Sequence, residues 1–333
     1  MPDMSISQLT DLPCGVVLYY HNQRQNSVGS FCARGHDLVG NSLTIDTPLR
    51  IASNTKPFTA AAILRLAEMG ALFIEDSISH YISPKFSQLL AQKYDIDAIT
   101  IAHLLSHSSG LLDHADANYL KDVLKQPDYQ WSRLEQIERY VQQDFPLFGP
   151  SEAFIYSDTG YILLGDIIER ATRLPLGEAV RELLRFDEVG LKTAYWEYLE
   201  APTTTEPRAR QYLGKLDCTD VHPSMDTYGG GGLVMSSKQM ALFFEALFTG
   251  KIFTSPETLN TMLRMGTHEG AEHYRLGIMA KKVNGITLYF HLGFWGSVAY
   301  YEPETQTCVA GFVDNRDERG MLINAVESLL TAQ

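Results

Sequence analysis

The chain has 333 residues, with 27 Lys and Arg against 40 Asp and Glu, a formal charge of −13. That length buries a full core, and a hydrophobic content of 45% with 20% charged residues is ordinary for a globular enzyme. The acidic balance argues against nucleic acid as a partner, and no apolar run reaches membrane-spanning length. Residues 1–20 carry Asp3 and Asp11 but no Lys or Arg ahead of a short apolar stretch, so no secretion signal is read there. A cytoplasmic location is expected, or a periplasmic one if the chain is trimmed.

Residues 15–20 and 27–34 read as two strands around a polar turn at 21–26. The four cysteines, Cys14, Cys32, Cys218 and Cys308, form no Cys-x-x-Cys pair and are too sparse for a disulfide framework. Cys14, Cys32 and Cys308 fall in or beside strands, where small buried thiols are the default; whether Cys14 faces Cys32 is left open.

From Phe58 apolar residues recur at helical spacing, through Ala61, Ala62, Leu64, Leu66 and Met69, and Gly70 offers a C-cap. This is a buried helix with Ser53 at its N-terminus. Pro57 is tolerable because the first turn does not use its N–H. Lys56 follows Ser53 by one turn, so its amine reaches the hydroxyl. A serine needs a neighbouring base to become a nucleophile, and a lysine among apolar groups loses its charge more readily. Ser-x-x-Lys alone is equally an N-cap and a surface lysine.

Residues 99–111 read as an apolar helix ending at Gly110, with His103 and His107 at i, i+4. That spacing can bind zinc, but no glutamate follows His103, so packing or capping roles are expected. His268 and His273 are five apart around Gly270, a loop rather than a metal site. Helices are expected over 131–142, 160–173 and 176–184, a surface loop over 202–207, and a helix over 236–247 capped by Ser236 or Ser237. The run Gly229 to Gly232 lacks a phosphate-binding context; close backbone packing or a mobile cleft edge fits it better. Strands follow at 275–280, 286–291, 297–301 and 307–313, with Asn284-Gly285 a hairpin turn, and a helix at 319–330.

The order predicts an α+β fold in one domain, 1–333. An antiparallel sheet from both chain ends is flanked by the terminal and central helices. Residues 1–74 with 226–333 would form an α/β lobe and 75–225 an inserted helical lobe, with the site in the cleft between them.

Two more stretches carry chemistry. Tyr156-Ser157-Asp158 precedes an apolar helix, and a phenol near cations can relay a proton. His291-Leu292-Gly293 ends a strand, where glycine permits close approach of a ligand. Alone, the first is a loop tyrosine before an N-cap and the second a solvated histidine in a turn. Together, in this order, Ser53-x-x-Lys56, Tyr156-Ser157-Asp158 and His291-Leu292-Gly293 resemble the three motifs of the serine β-lactamase and penicillin-binding-protein superfamily. The branch is the class C-like one, with its esterases, D-aminopeptidases and DD-carboxypeptidases, and the likeness covers roughly residues 45–315.

The resemblance implies Ser53 as the acyl-accepting nucleophile and Lys56 with Tyr156 as the proton-handling pair. It places His291 where the third-motif cation stands, with Gly293 beside it, and the N–H groups of Ser53 and Phe294 as the oxyanion hole. Asp158 departs from the more usual asparagine and adds negative charge to the cleft. The expected activity is hydrolysis of small esters, D-amino-acid amides or peptides through an acyl-enzyme, with no cofactor and no metal. A β-lactamase or DD-carboxypeptidase is the alternative. An inactive binding module is the rival from another class, separable by fluorophosphonate labelling. Substituting lysine for His291 is expected to favour β-lactams. The partner is a small molecule, and the oligomeric state is open.

Overall fold

The computed structural model describes residues 9–141, 145–146 and 148–332. Asp3 and Gln142, which entered the readings above, lie outside them, as do the two ends of the 1–333 domain. Six antiparallel strands form the main sheet: β1 (Val16–Asn22), β2 (Ser27–Ala33), β3 (Met279–Val283), β4 (Ile286–Leu292), β5 (Ser297–Glu302) and β6 (Thr307–Val313). Their order, β2-β1-β6-β5-β4-β3, joins the chain's beginning to its end. β1 and β6 pair centrally from Val16 opposite Val313 to Asn22 opposite Thr307.

Alternation along the strands decides what covers each face. Val16, Leu18, Val298, Tyr300, Val309 and Val313 turn to one side, where the C-terminal helix α4 (Arg319–Thr331) lays down Leu322, Val326 and Leu330. Val17, Tyr19, Ala299, Tyr301, Ala310 and Phe312 turn to the other, against Phe243, Phe244 and Leu247 of α3 (Ser237–Phe248). The cover on that face is therefore α3. The serine helix α1 (Lys56–Glu68) lies one layer deeper, where Phe58 stacks on Phe243 with ring centroids 3.5 Å apart. It packs also against α2 (Asp158–Thr172).

Several local readings shift. The apolar run at 99–111 is helical only over Ile101–Leu105, because His107 takes a left-handed backbone (φ 56°) that breaks it. β3 starts at Met279 rather than at residue 275, since the chain turns back there and the Arg275 N–H donates to the Ile278 carbonyl at 2.7 Å. The Asn284-Gly285 hairpin holds, both residues having positive φ as a two-residue turn requires. Ser236 is the cap of α3, in a capping box with Gln239. The 131–142 helix spans Arg133–Val141. All four cysteines are free, and Cys32, opposite Val17 on an edge strand, is exposed rather than buried. No helix among the described residues is long and apolar enough to cross a membrane.

Candidate active site

Ser53 stands in a single 3₁₀ turn, Ala52–Thr55, that runs directly into α1. Ala52 just before it has φ 47°, a conformation costly for an L-residue with a side chain, and the turn is held by contacts around it. Asn54 donates to Ser297 Oγ at 2.8 Å, and that hydroxyl donates to the Ile51 carbonyl at 2.8 Å. Gly293 completes the clamp. A Cβ there would lie 2.2 Å from the Ile51 carbonyl oxygen and 2.1 Å from Ser297 Oγ. What approaches Gly293 closely is thus the backbone leading to the serine, not a ligand.

Lys56 is 0% exposed, and its Nζ lies 3.0 Å from Ser53 Oγ and donates to the Gly230 carbonyl at 2.8 Å. Thr59 donates to the Gly229 carbonyl at 2.8 Å. The glycine run is a tightly packed backbone segment, since a Cβ on Gly229 or Gly231 would collide with Tyr161 or Asp226. Asp158 forms an ion pair with Lys56. Burial alone would lower the lysine pKa. The charge and hydrogen bond of Asp158, with Tyr156 and Asp226, instead raise it above the usual value. The expectation of an easily neutralised lysine is therefore reversed: its carboxylate partner outweighs its apolar surroundings. In return Lys56 overcomes burial at Asp158 and holds that carboxyl low.

Tyr156 comes from the segment that enters α2, whose N-cap is Ser157. Its ring centroid is 5.0 Å from Lys56 Nζ, and its hydroxyl pKa is sensitive to both Lys56 and Ser53. Burial raises the phenol pKa, and the lysine charge opposes that. The structure thus brings Ser53, Lys56, Tyr156 and Asp158 together.

His291 stands apart from the cavity. It is 0% exposed behind Tyr156, ring centroids 6.5 Å apart, with Nε2 2.9 Å from the Tyr274 hydroxyl and Nδ1 accepting from the Leu292 N–H at 3.0 Å. Burial, then the charge of Lys56, push its pKa down to about 3. At the place of the third-motif cation stands a neutral imidazole, because a fully buried histidine with a lysine nearby does not hold a proton. His103 caps its own helix from Thr100, while His107 is buried beyond the helix end and accepts from the Ser157 N–H, so the two do not converge.

A cavity of about 530 Å³ opens beside Ser53, with Tyr156, Asp158 and Phe294 in its wall. The sequence reading missed the charged groups that share this wall: His114, Asp116, Asp226, Arg316 and Arg319. They come from loops and a helix start with no motif of their own. Asp226 and the neighbouring Asp113 are pushed up to about 7, by burial first and then by the charge of Asp158. His114, buried against Thr159, is pushed down to about 4. Arg316 lies 4.4 Å over the Phe294 ring, and Arg319 donates to the Gly293 carbonyl at 2.6 Å. The cavity is therefore lined by both acidic and basic side chains.

Comparisons with known proteins bear on family and fold. The profile of the family described as Beta-lactamase matches residues 5–331. A penicillin-binding protein of Bacillus subtilis (strain 168) is 24% identical over 332 residues, covering 94% of this chain and 66% of its own length. Esterase EstB of Burkholderia gladioli is 33% identical over 154 residues, 44% of this chain and 38% of its own. The chain thus spans less than two thirds of these curated relatives. Among solved structures, a D-stereospecific amidohydrolase from Streptomyces sp. superposes with TM-score 0.82 at 22% identity, covering 100% of both chains. A D-amino acid amidase from Ochrobactrum anthropi SV3 does so with TM-score 0.83 at 22%, covering 99% of this chain and 98% of its own. At that identity the likeness shows the shared fold: an antiparallel sheet flanked by helices.

Proposed function

The chain belongs to the beta-lactamase family, and we propose that it is a serine hydrolase that cleaves small esters or amides through an acyl-enzyme on Ser53. The observation that carries this reading is the 3.0 Å approach of Lys56 Nζ to Ser53 Oγ at the edge of the cavity. Lys56 takes the serine proton as Oγ attacks the carbonyl, Tyr156 gives its hydroxyl proton to the leaving group, and Lys56 then reprotonates Tyr156. The N–H groups of Ser53 and Phe294 have no partner among the described residues and receive the oxyanion. Water then releases the acyl group. Because Asp158 holds Lys56 protonated, the reaction draws on a small unprotonated fraction, and activity rises with pH.

The lining carboxyls Asp158, Asp226 and Asp116 favour an amine on the acyl part, as in an amino-acid amide or short peptide. This is consistent with the D-amino acid amidase among the fold neighbours. Arg316 and Arg319 support a second reading, a DD-carboxypeptidase or β-lactamase, since they could pair with a carboxylate on the departing side. Comparing kcat/KM for D-amino-acid amides, p-nitrophenyl butyrate and nitrocefin decides between them. The amide or ester reading expects nitrocefin to be the slowest of the three; nitrocefin turned over fastest overturns it in favour of the β-lactamase. Absence of fluorophosphonate labelling at Ser53 would overturn both and leave a binding module.

A further inference from the structure

At the end of the sheet away from Ser53, three side chains with metal-binding atoms converge without any role in the site described. His21 and Cys308 are direct partners across β1 and β6, on the face covered by α3. Glu245 descends onto them from α3. The His21 imidazole, the Cys308 sulfur and the Glu245 carboxylate lie within 4.8 Å of one another, the only such trio among the described residues. Cys308 is four residues along β6 from Phe312, the partner of Ser297 in the serine clamp, or about 13 Å at strand spacing.

We infer that His21, Glu245 and Cys308 form a binding site for a single zinc-like divalent cation, structural in role, that ties α3 to the central strands of the sheet. The donor set of one imidazole nitrogen, one thiolate and one carboxylate oxygen is one that zinc favours, whereas calcium and magnesium reject sulfur. The geometry needs little change. Zinc bonds of about 2.0–2.3 Å in a tetrahedron put ligand atoms roughly 3.3–3.7 Å apart. Nδ1 of His21 and Oε2 of Glu245 are now 2.7 Å apart and would open slightly, while the sulfur would close by a side-chain rotation. The other carboxylate oxygen faces Lys251 at 3.5 Å, which orients it and leaves Oε2 for the metal.

The burial pattern encloses three ligands and leaves one position open to solvent. Cys308 is 1% exposed, Glu245 8%, and the His21 side chain 20%, so a water enters as fourth ligand from the histidine side. All three ligands come from different elements, so a bound ion cross-links sheet and helix. Binding releases the thiol proton to solvent as the sulfur becomes a thiolate.

The test uses the whole protein, stripped with a chelator and titrated with Co²⁺, then Zn²⁺. One equivalent of Co²⁺ should produce a thiolate-to-cobalt charge-transfer band in the near ultraviolet, and Zn²⁺ should displace it. Cys308→Ser should abolish the band and weaken Zn²⁺ binding by about tenfold or more, and His21→Asn should weaken it similarly. Saturating Zn²⁺ should raise the melting temperature of the unmodified protein and not that of Cys308→Ser. Hydrolysis by the stripped enzyme should persist at moderate temperature, which separates this site from the Ser53 chemistry. A titration with no thiolate band, or one that is the same in Cys308→Ser, overturns the proposal and leaves an ion pair beside a buried thiol. Because serine is close to cysteine in size, circular dichroism of Cys308→Ser checks that lost binding is not lost folding.

Discussion

Lys56 and Asp158 form a buried ion pair directly beneath the Ser53 hydroxyl, although they are a hundred residues apart in the chain. The pair sets the protonation of the whole centre. Each partner loses hydration, and each recovers it by the charge of the other. Replacing Asp158 with asparagine removes the main force that keeps Lys56 charged. The acid limb of the pH profile of kcat/KM should move to lower pH in Asp158→Asn, by a unit or more in order of magnitude. An unmoved limb would mean that Lys56 is not the base.

Ser53→Ala should reduce turnover by about 10³-fold or more while leaving the melting temperature within a degree or two. The serine side chain is not part of the clamp, which runs through Asn54, Ser297 and Ile51. Ser297→Ala, by contrast, removes both clamp bonds at a buried hydroxyl. It should cost about 1–3 kcal/mol of stability and lower kcat with it, read from urea unfolding and steady-state kinetics on one sample.

His291→Lys tests the revised view of the third motif. A second ammonium would enter a site with 0% exposure, close to Lys56 and facing the Tyr274 hydroxyl. Its desolvation and repulsion should cost about 3 kcal/mol and lower activity on every substrate, rather than recruit β-lactams as the motif comparison suggests. A stable variant with raised nitrocefin turnover would restore the original expectation.

Asp113 and Asp226 bind protons more tightly in the folded chain, at about 7, than an unfolded carboxyl does at about 4. A raised folded pKa means that stability is full below the unfolded value and is lost as pH rises through the folded one. The stability of the fold, and with it the urea midpoint, should therefore fall as pH rises from about 4 to about 7, the span between the unfolded and folded values. Asp226→Asn should flatten that decline. A midpoint that rises over the same range would show that these carboxyls ionise freely in the fold.

What residue order alone determined is local or periodic. The 3.6-residue spacing from Phe58 to Met69 marks a buried helix, and Ser53 and Lys56 one turn apart follow from it. The apolar strand runs at 297–301 and 307–313, with the Asn284-Gly285 turn, mark the antiparallel sheet. These are legible because a helix or strand repeats its geometry over a few residues. The tertiary structure decided everything that depends on distance through space and on exclusion of water. It ended the 99–111 helix early, at His107, whose left-handed backbone is held by contacts to Ile155 and Ser157. It brought Asp116, Asp226, Arg316 and Arg319 to one cavity from segments that carry no motif. It gave Lys56 a carboxylate partner and denied His291 both water and charge, so the lysine keeps its proton and the histidine sheds it. Charge state is a property of surroundings, and the chain assembles those surroundings only when it folds.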